Sequence, residues 1–244
     1  MDRLTWAEIN LRNFADNFLA IKKAVGPVRK IMGVVKADAY GHGLARMGQE
    51  LQKLDTDYLG VACLAEAKNL RKAEVRLPIL VLGYTDPLDF GRALDLVTAV
   101  NIMDERSLQE LDKLVRIRGK TATVHIKIDT GMHRLGAAPE SAIKLIKNIY
   151  KYKNIYLEGI FSHFADADGK DLGFAREQLE EFIRIMGKIG KIRGLLKHVA
   201  NSDAVFRLPE SHLDMVRPGK ALYKNVLSLK TQIVGIRRLK KGES

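Results

Sequence analysis

Polar side chains that can do chemistry follow the apolar segments of this sequence at one repeated position, where each segment ends. "IMGVVK" ends in Lys36, and Tyr40 follows four residues later. "ATVHIKID" ends in Asp129 and leads into a turn that contains Arg134. Three later segments end in further polar or turn residues: His163; His198, Asn201 and Ser202; and Arg217 and Gly219. A lysine amine can bond to an aldehyde, and an arginine stays protonated at any working pH.

Each of these residues also has a purely structural interpretation. A lysine at a strand end is usually solvated, and Tyr40 could be a packed aromatic. His163 and His198 could be buried histidines with satisfied hydrogen bonds. "TGMHRLG" could be a turn whose arginine pairs with a carboxylate, and "VRPG" could simply end a strand. A common site is favoured because all of these interpretations would have to hold independently at one predicted rim.

The elements that must position these residues alternate between helix and strand. "LRNFADNFLAIKKAV" places Leu11, Phe14, Phe18, Ile21 and Val25 on one helical face. Eight apolar segments predict strands: "VRKIMGVVK", "YLGVACL", "PILVLGY", "TAVNI", "ATVHIKID", "YLEGIFSHF", "LKHVANS" and "HLDMVRPG". This alternation is typical of an α/β protein with a parallel (β/α)8 TIM barrel, whose chemistry lies at the carboxyl ends of the strands. An open doubly wound sheet is the alternative fold.

Composition narrows the function classes. The chain has 244 residues, 46% of them hydrophobic, which suits one sizeable domain. Its single cysteine, Cys63, fits a reducing compartment, so we expect a cytoplasmic protein. The first residues lack the basic and apolar regions of a signal peptide, so we expect none, and no apolar run is long enough to span a bilayer. The net charge is +12, but the basic residues lie mostly among glutamates on polar helix faces, so we expect no nucleic-acid partner.

The polar residues as a set suit one kind of cofactor. Hydroxyls and backbone N–H groups at the ends of the last two barrel strands form a recurrent phosphate site. An aldehyde, a phosphate and an aromatic ring with a tunable nitrogen together describe pyridoxal phosphate (PLP). The residue set is compatible with that cofactor, although composition and periodicity alone do not identify it.

One segment carries a specific resemblance. "VVKADAYGHG" closely resembles the PLP attachment motif of bacterial alanine racemases. Six further segments resemble blocks of that family in the same order: "YLGVACLAEAKNLRKA", "PILVLGY", "IKIDTGMHRLG", "GIFSHFADAD", "HVANSDAV" and "DMVRPGKALY". The resemblance covers nearly the whole chain. It implies a barrel over residues 1–224 that binds PLP at Lys36 and belongs to an isomerase of D-alanine biosynthesis, with alanine as substrate.

The resemblance also implies roles for single residues. Lys36 would bind the cofactor covalently and act as one of two acid/base groups, and Arg134 and His163 would be the other catalytic residues. The cofactor contacts would be Lys36, Tyr40, Leu82, His163, His198, Asn201, Ser202, Arg217, Gly219 and Lys220. Among them, Tyr40, Ser202 and the backbone at Gly219 and Lys220 would hold the phosphate. Arg217, supported by His198, would face the pyridine nitrogen. Lys127 matches a lysine that is carbamylated in some members, and no metal is implied.

Two departures from the family pattern matter. The chain stops at "SLKTQIVGIRRLKKGES", where the family opens a second, all-β domain that supplies a tyrosine as the other acid/base group. We therefore expect residues 225–244 to be the remnant of that domain. We also expect the chain to be a truncated or engineered barrel, weakly active and monomeric. Lys220 stands where the family usually has an apolar residue.

Two other functions remain open. A single-domain PLP-binding barrel also exists as a non-catalytic protein of cofactor homeostasis. The length of the chain favours that alternative, whereas "IKIDTGMHRLG" and "DMVRPG" favour the racemase. The third possibility is a barrel scaffold that binds no ligand.

Overall fold

The computed structural model describes residues 3–243 of the chain. Its elements are, in order, β1 (Thr5–Ile9), α1 (Leu11–Val25), β2 (Lys30–Val34), α2 (Lys36–Gly41), α3 (Leu44–Lys53), β3 (Tyr58–Val61), α4 (Leu64–Lys72), β4 (Ile79–Val81), α5 (Phe90–Asp95), β5 (Val100–Ile102), α6 (Glu105–Arg118), β6 (Ala122–Lys127), α7 (Pro139–Ile149), β7 (Ile155–Phe161), α8 (Gly173–Ile189), β8 (Leu196–His198), α9 (Ser202–Arg207), β9 (Met215–Val216) and β10 (Leu227–Thr231). Short 3-10 turns lie at Pro87–Asp89, Pro209–Ser211 and Lys220–Tyr223.

Strands β2 to β9 form a ring in chain order. They make two parallel sheets, ordered β4-β3-β2-β9 and β5-β6-β7-β8. At the seam between β4 and β5, the backbone N–H of Val81 donates to the carbonyl of Ala99 at 3.0 Å. Beyond the ends of β8 and β9, the N–H of Arg217 donates to the carbonyl of Ala200 at 2.9 Å. The predicted parallel (β/α)8 barrel is therefore confirmed, and the open doubly wound sheet is excluded.

The two faces of each barrel strand contact different surroundings. On β2, Ile31 packs in the layer between strands and helices, and Val35 packs there just beyond the strand end. Met32 packs inside the barrel in a small cluster with Tyr58, Leu80, Ala99, Phe161 and Met215. Because side chains alternate along a strand, the inward positions after Met32 are Val34 and Lys36. This alternation brings the lysine to the mouth of the barrel.

The helices cover the outer face of the ring. In α1, four residues of the predicted apolar face are buried, since Phe14, Phe18, Ile21 and Val25 are each at most 1% exposed, and the fifth, Leu11, is partly buried. The side chain of Asn10 accepts from the N–H of Asn13 and so caps the start of α1. Periodicity predicted this helix because its burial follows the 3.6-residue repeat.

Two strands outside the ring differ from the prediction. β1, which was not predicted, pairs antiparallel with β10 in a register that runs from Thr5 opposite Thr231 to Ile9 opposite Leu227. All five residues of β10 are exposed. β10 lies in the segment 225–244 that was assigned to a second domain, and that assignment stays a prediction.

The predicted last two barrel strands are shorter than expected. β8 ends at His198, and Ser202 already begins α9.

Within residues 3–243, no helix is both long and apolar enough to cross a membrane.

Candidate active site

A cavity of about 560 Å³ opens at the carboxyl end of the barrel strands. The predicted site residues that line it are Lys36, Tyr40, Leu82, Lys127, Arg134, His163, Asn201, Ser202, Arg217, Gly219 and Lys220. His198, which was grouped with the cofactor contacts, does not line this cavity. It is fully buried beside Arg217. The structure thus gathers predicted residues from six of the eight strand ends around one space.

A left-handed turn follows β2 and sets the positions of Lys36 and Tyr40. Residues 37–40 all have φ between 52° and 54°, although none is a glycine. Such a conformation costs roughly 1–2 kcal/mol per residue. The carboxylate of Glu66 stabilises the turn, because one oxygen accepts from the N–H of Ala37 at 2.6 Å. The strained turn brings Lys36 and Tyr40 to the same cavity.

Cationic side chains dominate the cavity. Lys36, Lys127, Arg134 and Arg217 all line it. Burial, followed by the charges of Arg134 and Arg217, lowers the pKa of Lys36. Burial and the same two guanidinium groups lower the pKa of Lys127 to about 8. The cavity therefore favours an anionic ligand. It also increases the fraction of each lysine amine that is neutral, compared with a lysine in water.

Arg217 lies at the buried side of the cavity and is held by carbonyl groups. Its Nη1 donates to the carbonyl of His198 and its Nη2 to that of Ser162, each at 2.6 Å. Burial lowers the pKa of Arg217, and these acceptors compensate the buried cation. His163 Nδ1 lies 3.4 Å from Nη2 of Arg217. Burial and then the charge of Arg217 lower the pKa of His163 to about 3, so its ring is neutral.

Ser202, Gly219 and Tyr40 form a narrow cradle. The Ser202 hydroxyl oxygen accepts from the N–H groups of Gly219 at 2.9 Å and Ala221 at 3.1 Å. A Cβ atom added at Gly219 would lie 2.4 Å from the Tyr40 hydroxyl. Only glycine leaves room here for the tyrosine. In this structure the Gly219 amide is engaged with Ser202, whereas the sequence prediction assigned that amide to a phosphate.

Two further predicted residues are already engaged with other groups. The Asn201 side chain accepts from the N–H of Ala204 at 3.1 Å and caps the short helix α9. Lys220 Nζ lies 3.0 Å from a carboxylate oxygen of Asp168. Both residues still line the cavity, so a ligand could contact them without a change of fold.

Comparison with known proteins decides the family. The model of the family "Alanine racemase, N-terminal domain" matches residues 9–225. The chain belongs to this family. The resemblance drawn from the sequence motifs is therefore confirmed.

Two alanine racemases show how close the likeness is. The chain is 40% identical to alanine racemase 2 of Caldanaerobacter subterraneus subsp. tengcongensis, over 99% of this chain and 67% of that protein. A solved alanine racemase from Clostridium difficile 630 superposes with a TM-score of 0.92 at 36% identity, over 97% of this chain and 70% of that one. A racemase from Bartonella henselae with covalently bound pyridoxal phosphate shares the fold, with a TM-score of 0.85 at 23% identity over 95% of this chain and 70% of that one. The chain spans about 60% of the length of other curated alanine racemases.

Three cavity features of this family member were missed by sequence reasoning. Phe161 lies 5.6 Å from Lys127 Nζ and 5.3 Å from the Arg217 guanidinium, measured to the ring centroid. Asp168 pairs with Lys220, and Glu66 stabilises the left-handed turn. Phe161 ends an apolar strand, and its sequence context gives no sign of a role in the site. The sequence carried no signal for either carboxylate, because both lie in ordinary polar segments.

Proposed function

We propose that this chain is a PLP-dependent amino-acid racemase barrel that binds its cofactor at Lys36. Alanine is the proposed substrate, because the relatives are alanine racemases. The observation that carries the proposal is the position of the Lys36 amine. It lies in a cavity with the cationic side chains of Lys127, Arg134, Arg217 and Lys220 and with the cradle formed by Ser202, Gly219 and Tyr40.

The residues present fit PLP. The cavity of about 560 Å³ is within the range of small-molecule sites. Its cations suit the phosphate of the cofactor and the carboxylate of an amino acid. The glycine at 219 keeps open a space that a Cβ would fill. Family membership and the covalently bound cofactor in the Bartonella racemase support this assignment.

Lys36 is proposed as both covalent anchor and base. Bound PLP would draw electrons from the α-carbon of an amino acid, so that its α-proton becomes removable. The lowered pKa of Lys36 increases the fraction of neutral amine, which is the form that can take up that proton. The left-handed turn directly after β2 sets the position of the lysine at the cavity.

Other cavity residues are proposed to bind and orient. Ser202 and Tyr40 would hold the phosphate, and Lys220 would add positive charge. Arg217 would face the pyridine nitrogen, and the neutral ring of His163 would lie beside it. Arg134 would attract the substrate carboxylate. Lys127 would orient Arg134, and its depressed pKa favours the neutral amine that carbamylation requires.

One experiment separates racemase from cofactor-binding protein. After loading with PLP, proton NMR in D₂O follows the loss of the α-proton signal from D-alanine and from L-alanine. We expect faster exchange from D-alanine, because the family resemblance assigns that enantiomer to the lysine and the L form to a residue outside the barrel. Interconversion of the enantiomers should be slow, since one positioned acid/base group contributes roughly 10²–10⁴-fold.

The controls distinguish the alternatives. Lys36→Ala mixed with the same amount of PLP should show no exchange above the rate of free PLP. If PLP binds and neither enantiomer exchanges, the chain is a non-catalytic cofactor-binding barrel. Equal exchange from both enantiomers would contradict a single base and would point to a second group such as His163.

A further inference from the structure

A chain of hydrogen bonds runs through the barrel interior, away from the cavity. Arg217 Nη1 lies 2.9 Å from His198 Nδ1, and His198 Nε2 lies 2.9 Å from His125 Nδ1. His125 Nε2 lies 2.9 Å from Glu158 Oε2, and the Tyr58 hydroxyl lies 3.1 Å from Glu158 Oε1. Both histidines are fully buried. Since His125, Glu158 and Tyr58 do not line the cavity, they lie outside the site described above.

The donors in this series of hydrogen bonds can point in only one direction. Burial disfavours the charged form of Glu158, but hydrogen bonds from His125 and Tyr58 outweigh it and lower its pKa, so the carboxylate accepts. His125 must then donate from Nε2, which leaves its Nδ1 to accept from His198 Nε2. His198 Nδ1 in turn accepts from Arg217. Any other placement of protons sets two N–H groups against each other, so both histidines are neutral with the proton on Nε2.

Burial supports the same protonation states. It lowers the pKa of His125, and burial together with the charge of Arg217 lowers the pKa of His198. A proton on Nδ1 of His198 would point at the guanidinium. The ordered series of hydrogen bonds avoids this clash and gives each ring nitrogen of His125 and His198 a partner.

Two local features of β6 and β7 make room for these hydrogen-bonded side chains. The pairing shifts by one residue between Val124, which lies opposite Leu157, and His125, which lies opposite Gly159. Glu158 is the extra residue of this bulge, and bulges commonly redirect a side chain. A Cβ atom at Gly159 would lie 2.4 Å from His125 Nδ1. The strand therefore carries both an inserted glutamate and a glycine that leaves space for the imidazole.

We propose that Glu158, His125 and His198 are positioning residues that orient the guanidinium of Arg217 toward the cofactor. We call the hydrogen-bonded series Arg217–His198–His125–Glu158 the relay, and it is a feature of the free protein. Its consequence for the cofactor rests on the proposed function. Glu158 accepts the hydrogen bond from His125 Nε2, so its removal would leave that buried N–H without an acceptor. The His125 ring would then shift, and the hydrogen bonds that join it to His198 and His198 to Arg217 would change with it.

The relay is tested first without cofactor. Long-range ¹H–¹⁵N correlation of the imidazoles reports which nitrogen carries the proton. We expect both histidines of the free protein to be neutral with the proton on Nε2. In Glu158→Leu the resonances of His198 should shift, although residue 158 does not touch that ring. Glu158→Gln keeps an acceptor and should restore the original pattern, and Tyr58→Phe should leave His198 unchanged.

Three results would overturn the relay. The first is an Nδ1 proton on either neutral histidine of the unaltered chain, which decides the matter even if a variant fails to fold. The second is an unchanged His198 signal in folded Glu158→Leu. The third is a Glu158→Gln pattern that matches Glu158→Leu.

The link to the cofactor is tested separately by PLP titration followed by absorbance. Glu158→Leu should raise the PLP dissociation constant about three- to tenfold, as expected for one buried hydrogen bond, and Glu158→Gln less than about twofold. The absorption band of the bound cofactor should move in the Leu variant and not in the Gln variant. Failure of the unaltered chain to bind PLP would refute the proposed function and the cofactor role of the relay. The tautomers of the free protein would still decide whether the relay exists.

Discussion

The two faces of the barrel strands differ in chemistry although they share one backbone. On β6, Val124 and Ile126 face the helices and are fully buried in an apolar layer. His125 and Lys127 alternate with them and are buried in the barrel interior. Barrel interiors are usually filled by branched apolar residues. A buried lysine opposes stability unless it is paired or neutral, so the interior of this barrel is built for a site.

The outer layer, in contrast, carries the fold. It contains buried residues from α1 to α8 and from the outward faces of the strands. Burial of this apolar area is the main favourable contribution to folding. Fold and function are therefore separated here by the alternation of single residues along a strand. Substitutions on the two faces should therefore act on different measurements.

Removal of an outer-layer aromatic should give the largest effect on stability. Phe182 on α8 is fully buried in that layer. Phe182→Ala should lower the free energy of unfolding by about 3–5 kcal/mol, as for other buried phenylalanines. Urea denaturation followed by circular dichroism measures this change. The PLP dissociation constant of the fraction that remains folded should not change. If the free energy of unfolding falls by less than about 1 kcal/mol, the outer layer is not the main core.

A substitution in the cradle should act on binding more than on folding. The Cβ of Gly219→Val would collide with the Tyr40 hydroxyl. We expect PLP affinity to fall by about 100-fold, which corresponds to about 2.7 kcal/mol. A PLP titration measures it, with Gly187→Val as a control because no atom lies within 4 Å of a Cβ there. If pyridoxal without phosphate binds the unaltered chain as tightly as PLP, the cradle does not hold a phosphate.

Replacement of an interior cation by an apolar residue should stabilise the protein. The pKa of Lys127 falls from its ordinary 10.5 to about 8, so below about pH 8 folding must bury a charge. From about pH 8 to 10.5 the unfolded chain binds more protons, and stability should rise with pH. In buffer depleted of carbon dioxide, Lys127→Met should raise the free energy of unfolding at pH 7 by about 1–3 kcal/mol. It should also remove the rise of stability between about pH 8 and 10.5. Urea denaturation at pH 7 and pH 10 checks both, and a destabilised variant would contradict the account.

The same separation explains what the sequence could predict. The helix and strand repeats are local, so α1 and the alternation that leads to the barrel followed from periodicity. Residues at strand ends such as Lys36 and Ser202 could be grouped because parallel strands end at one rim. The left-handed turn at 37–40 could not be predicted, since none of its residues is a glycine. Neither could the contacts of Glu66 and Glu158, because they depend on partners distant in sequence.

Identification of the lysine that binds PLP tests the assignment of Lys36 directly. The protein is mixed with PLP, reduced with borohydride and digested, and the modified peptide is identified by mass spectrometry. We expect the adduct on Lys36, and we expect Lys36→Ala to lose the absorption band and the adduct. Lys30→Ala is the matched control, because Lys30 begins the same strand at the opposite end of the barrel and pairs with Asp57. This variant should keep both the absorption band and the adduct on Lys36. Stoichiometric modification of another lysine, or an adduct that persists in Lys36→Ala, would contradict the account.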